Sequence, residues 1–153
     1  NHWYLNPILS SMICFILAFS WSTNSCMIFY KESNYAQYEF SKIINQFENP
    51  TLLNYGFLDG GFYLTTGTQP RLYYFMKNNI PYKNYPKMMD TQNYYIREQL
   101  VDFVIIKESL SNKKKEFISK YYDKIDSHTQ MNNRSHMITY SLYRRKSKQS
   151  DIS

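Results

Sequence analysis

The sequence predicts an α/β fold: an N-terminal transmembrane helix followed by a small, mostly parallel, Rossmann-like sheet with an antiparallel edge hairpin. Three observations predict it. No Asp, Glu, Lys or Arg occurs before Lys31. Short apolar runs at residues 52–58 and 102–106 have the length and composition of buried strands. Between and around them, apolar residues recur with the 3.6-residue period of helices. Strands alternating with helices in this way build open sheets with helical crossovers, which are normally right-handed.

In chain order, residues 1–29 read as a last transmembrane helix. Asn6 is placed to cap it, Pro7 takes the first helical position, and Trp3, Tyr4 and Trp21 flank it like an interfacial belt. Extending the apolar core to Phe29 reaches the roughly 20 residues that span a bilayer. A soluble α/β domain over residues 30–146 follows. Ala36, Phe40, Ile43, Ile44 and Phe47 form one helical face, with Ser33 or Asn34 as the cap and Pro50 as the stop. Residues 52–58 are the first strand, and residues 62–66 are one helical turn closed by Gly67 and Pro70. A second strand is predicted at residues 72–75, and residues 88–100 read as a helix through Met88, Gln92, Tyr95, Ile96, Gln99 and Leu100. Residues 102–106, DFVII, are the clearest buried strand. Ser111 or Asn112 then caps a helix whose apolar face carries Phe117, Ile118, Tyr121, Tyr122 and Ile125. A hairpin ends the domain, with Asn132-Asn133 in its turn and Ile138, Tyr140 and Leu142 on one face. Residues 147–153 read as a disordered basic tail.

All four glycines fall within residues 52–70, which marks an unusual local shape. Asp59 stands at the carboxyl end of the first strand, where open α/β sheets usually bind ligands. With Gly60, Gly61, Tyr63 and Arg71 it makes the candidate substrate-binding set. Its carboxylate either caps the short helix after it or contacts a sugar or a phosphate. Tyr55-Gly56, Asp59-x-Gly61-Phe62-Tyr63, Gly67, Pro70 and Tyr74-Phe75 resemble a pattern in the C-terminal region of bacterial multi-pass membrane glycosyltransferases. These are GT-C-type enzymes, the group of protein mannosyltransferases and polyprenyl-phosphate-sugar transferases. Across residues 30–145 the resemblance continues only in the order of elements. It implies an enzyme that moves a sugar from a polyprenyl-phosphate donor to a glycan or lipid-linked acceptor. It also implies that the catalytic acidic residues lie in an early extracytoplasmic loop, so this chain reads as a C-terminal fragment. The fragment would sit at the cell membrane among lipids, its soluble domain extracytoplasmic and covering the acceptor side.

Composition narrows the alternatives. The net charge is +6, with 20% charged and 18% aromatic residues, which is not the make-up of a disordered chain. No zinc-finger spacing, RNP motif or basic recognition helix is present, so nucleic acid is not an expected partner. Gly60, Gly61 and Gly67 do not fit G-x-G-x-x-G, and no Gly-Lys-Ser/Thr follows; no cofactor is expected. Asp126, His128 and His136 supply too few ligands for a metal and read as surface residues. No serine or cysteine has a recognisable base beside it, so no catalytic residue is assigned. The alternative function is a non-enzymatic, membrane-anchored module that holds an acidic glycan or a lipid headgroup.

Overall fold

The computed structural model describes residues 7–22, 31–131 and 136–147. Helix α1 covers Pro7–Trp21, 15 residues. At 1.5 Å per residue it runs about 22 Å, short of the ~30 Å apolar layer of a bilayer. Among the described residues no helix is long and apolar enough to cross a membrane, which overturns the expected N-terminal transmembrane helix. The helix stops at Trp21, where the Ser22 N–H turns back to Phe19 O at 3.3 Å, the tighter bond with which a last helical turn closes. The remainder of the expected span, residues 23–29, lies outside the described residues, as do Asn6 and the hairpin turn at Asn132-Asn133.

Four strands form one sheet in the order β1-β2-β4-β3. They are β1 (Leu52–Asn54), β2 (Phe103–Lys107), β3 (Tyr122–Met131) and β4 (Met137–Arg145). Only β1 and β2 are parallel; β4 is antiparallel to both β2 and β3. The sheet is therefore mixed, not mostly parallel and Rossmann-like. The chain makes one crossover, and its closing hairpin then inserts its second strand beside β2, where a further parallel strand would need another crossover. The strand expected at residues 72–75 is a run of turns. It offers isolated bonds instead of a ladder: Asn54 N–H donates to Phe75 O, and Lys77 N–H to Phe57 O, each at 2.9 Å. Leu72 and Tyr74 pack toward one core and Phe75 toward the other, so the alternation is met without strand pairing.

The sheet is covered on both faces. Helix α2 (Ala36–Ile44) and the short α3 (Phe62–Thr66) pack with Leu52, Phe103, Ile105, Tyr140 and Leu142. Helix α4 (Pro86–Arg97) and α5 (Asn112–Ser119) flank the opposite face, where Met89, Ile96 and Ile118 join Leu53, Val104, Ile106, Tyr122 and Tyr143. Adjacent residues of β2 thus enter different cores, the period-2 alternation of a central strand. On α2 the expected face holds: Ala36, Phe40 and Ile44 are fully buried, with Ile43 and Phe47 packed beside them. Its cap is not local. Tyr35 occupies the cap position without a side-chain bond, and the Ala36 N–H is taken by Gln130 Oε1 of β3 at 2.6 Å.

Helix α5 ends at Ser119, before the Tyr122 and Ile125 that its apolar spacing had included. Tyr122 instead opens β3, fully buried, and its hydroxyl donates to Val101 O at 3.0 Å. Ile125 falls at the register shift between Lys124 and Asp126 and is exposed. A pairing with β4 from Tyr122 to Met131 outweighs the few hydrogen bonds that two more helical turns would add.

Candidate functional site

The carboxyl end of β1 is tied down by three groups. Tyr55 N–H continues the parallel pairing by donating to Ile105 O at 2.9 Å. Gly56 comes next with φ +80, a left-handed conformation. Its N–H is received by Gln92 Oε1 at 3.1 Å, and the same fully buried amide donates to Tyr74 O at 3.0 Å. Gln92 thereby joins α4, the end of β1 and the 72–77 segment.

Asp59, half-buried, is the hub of the turn. Its Oδ1 accepts from Asn54 Nδ2 at 2.5 Å and from Phe62 N–H at 3.2 Å, and Oδ2 accepts from Gly61 N–H at 3.1 Å. One carboxylate thus receives the N–H of Gly61, at the cap position of α3, and that of Phe62, its first residue. Gly61 has φ +91 and no neighbour where a Cβ would stand, so the position demands glycine for its backbone and not for space. Gly60 is exposed, and its carbonyl accepts from Gln37 Nε2 at 2.6 Å. Tyr63 is buried: its hydroxyl donates to Leu52 O, and its ring meets Phe75 edge-on at 5.1 Å. Burial, and after it the charge of Asp59, pushes the Tyr63 phenol well above its ordinary value. Arg71 is exposed and makes no ion pair with Asp59 or any other described residue. Four of the five candidate residues therefore converge on one turn, with Tyr63 beneath it as scaffold and Arg71 apart.

Two polar residues complete the turn, and only one of them stood out in the sequence. Gln92 lies on the expected buried face of its helix. Asn54 sits inside the apolar run LLNYGF, where a lone amide gives little warning, yet it is fully buried beneath Asp59. His128 also departs from expectation. It is half-buried and its Nε2 is shielded, whereas His136 is exposed. Among the described residues, no three His, Cys, Asp or Glu side chains are placed to hold a metal ion.

The bonds of Asp59 set what its replacement should cost. Asparagine usually caps as well as aspartate because one oxygen suffices. Here both carboxylate oxygens receive donors, so Asp59→Asn must turn an NH2 toward one of them and is expected to cost about 1 kcal/mol. Asp59→Ala removes the cap and leaves the Asn54 amide without its acceptor, for about 2 kcal/mol. Thermal unfolding checks both; equal melting temperatures for wild type and Asp59→Ala would show that the carboxylate is not a cap.

Compared with family models, with curated proteins and with solved structures, the chain matches none of them. Its class is defined by the fold alone: a three-layer domain on a mixed four-stranded sheet, with an aspartate-centred turn at the end of its parallel pair.

Proposed function

We infer that this domain belongs to a membrane glycosyltransferase of the GT-C type, on the extracytoplasmic side, where it covers the acceptor side of transfer from a polyprenyl-phosphate-linked sugar. The observation that carries the reading is the coherence of the motif behind the resemblance. Gly56, Asp59, Gly61, Phe62, Tyr63 and Phe75 are bonded or packed into one turn at the carboxyl end of β1. Asp59 is the group there that suits an acceptor hydroxyl, since a carboxylate accepts strong charge-assisted hydrogen bonds. The sequence assigns this domain no catalytic residue, and the reading gives it a part in binding and orientation.

The reading expects the encoding gene to specify a series of hydrophobic segments ahead of this domain, with an acidic pair in the first extracytoplasmic loop. It also expects purified residues 31–153 to transfer no sugar from a polyprenyl-phosphate donor. Gene sequence lacking such segments, or transfer by the isolated domain, overturns it. A second reading, a non-enzymatic module for an acidic glycan or lipid headgroup, draws on Lys77 and Lys114. Neither has a carboxylate partner among the described residues, and partial desolvation together with the Lys77 charge lowers the Lys114 ammonium below its ordinary value. An anion bound between them would relieve that repulsion.

A further inference from the structure

A cleft of about 560 Å³ opens at the end of the sheet opposite Asp59, where the chain enters β1 and β2 and leaves β4. Its floor is apolar. Phe47 and Pro50 are half-buried, and the fully buried Phe103 meets the Phe47 ring edge-on at 5.2 Å. One wall is set by Gln99, which follows α4 with φ +51, a left-handed position that glycine usually fills. Its N–H donates to Ile96 O at 3.1 Å and that of Leu100 to Tyr95 O at 3.0 Å, closing the helix end. The Gln99 amide then reaches Tyr121 O at 2.8 Å and, longer, Lys146 O at 3.4 Å. The side chain that makes this conformation costly therefore ties the end of α4 to the chain beyond β4.

Two adjacent arginines leave β4 here, and adjacent strand residues point to opposite faces. Arg145 is already spent: Nη2 meets Asp102 Oδ1 at 2.9 Å, and Nη1 donates to Gln99 O at 3.2 Å. The second Asp102 oxygen accepts from the Thr51 N–H at 2.9 Å and the Thr51 hydroxyl at 2.6 Å. Arg144 is different. It is the register partner of Phe103, and its guanidinium carbon lies 4.5 Å from the Phe47 ring centre. The side chain is exposed and, among the described residues, makes no hydrogen bond or ion pair. Stacking holds a guanidinium over a ring while leaving its planar fork of N–H donors for a partner.

We propose that this cleft binds a small organic carboxylate with an apolar body, the carboxylate on the Arg144 fork and the body on Phe47 and Pro50. The fork matches a carboxylate bidentately. Charge selects the class further. Arg144, Arg145 and Lys146 line the cleft against Glu48, Glu98 and Asp102, so the lining is balanced overall. A balanced lining suits a single negative charge better than a phosphate dianion or a polyphosphate. The volume falls within the roughly 300–1,000 Å³ of small-molecule sites. This site is separate from the Asp59 turn and stands whether or not the glycosyltransferase reading does.

The experiment titrates the isotope-labelled 153-residue chain with phenylacetate, up to about 10 mM, and follows the Arg144 Nε–H and the backbone N–H groups of Phe47 and Gln99 by NMR. Phenylacetate is expected to shift all three signals saturably. Phenylethanol, which lacks the charge, and acetate, which lacks the apolar body, should each bind at least about fivefold more weakly. Arg144→Gln should weaken phenylacetate by roughly tenfold, and Arg144→Lys, which keeps the charge but not the fork, by about threefold or more. Because the side chain is exposed, both variants should stay folded, and unchanged far-ultraviolet circular dichroism checks this. Lys87→Gln, an exposed charge in the first turn of α4, should bind as wild type does. Absence of saturation, equal affinity in Arg144→Gln, or tighter binding of inorganic phosphate than of phenylacetate would each overturn the proposal.

Discussion

Gln92→Ala should lower the stability of the domain by about 4 kcal/mol, a fall of roughly 8–16 °C in Tm for a chain of this size. Gln92 is fully buried and makes three bonds. It accepts from Gly56 N–H and donates to Tyr74 O at 3.0 Å and, longer, to Asn54 O at 3.4 Å. Removing the amide strands the Gly56 N–H in the interior, at a cost of about 1–3 kcal/mol, and the truncation adds a cavity. Gln92→Leu keeps most of the volume and loses only the bonds, so it should sit between wild type and alanine, near 2–3 kcal/mol. Thermal and urea unfolding of the three proteins separate the two contributions. Equal stability of wild type and Gln92→Leu would mean that the amide does not hold the Gly56 turn.

The second large effect is on acid stability, and it centres on Glu108 just past the end of β2. Its carboxylate meets Lys115 Nζ at 2.5 Å and Lys124 Nζ at 2.9 Å, and accepts from the Ser141 hydroxyl. The Lys115 bond first, then Ser141 and Lys124, hold the carboxyl down to about 2. A carboxylate whose folded value is depressed adds stability that is complete above its unfolded value, near 4.5. That stability disappears as pH falls through the folded value. Between about pH 4.5 and pH 2 the wild type should therefore lose up to about 3 kcal/mol through this group, less some screening because the side chain is 26% exposed. Glu108→Gln removes the titration. The gap in unfolding free energy between wild type and Glu108→Gln, measured in urea along a pH series, should be widest near neutrality and close toward pH 2. A gap that stays constant from pH 5 to pH 2 would contradict the assignment.

Much of the scaffold was legible because its signals are local. The α2 face at Ala36, Phe40 and Ile44, the strand at residues 103–107 and the β4 face at Ile138, Tyr140 and Leu142 each follow from periodicity over a few turns or pleats. The one-turn helix α3 with Gly67 behind it was readable because glycine at φ +65 is a backbone requirement. Asp59 was readable as a cap or a ligand group from its place before two glycines, and its bonds to Gly61 and Phe62 make it a cap at the least.

What the sequence determined by itself, then, is where apolar residues must be buried and where the backbone must turn, since both depend on neighbours a few residues away. Pairing partners, helix length and the partners of buried polar groups were decided by tertiary structure. Residues 117–125 carry a helical apolar pattern, yet Tyr122 starts a strand because β4 offers it a partner from the far side of the hairpin. Residues 72–75 alternate like a strand, yet no ladder forms along them; Asn54 and Gln92 reach their backbone from distant elements instead. The Ala36 N–H finds its acceptor in Gln130, 94 residues away. Such long-range choices turn on which distant group satisfies a buried donor or acceptor, and no local window of residues contains that information.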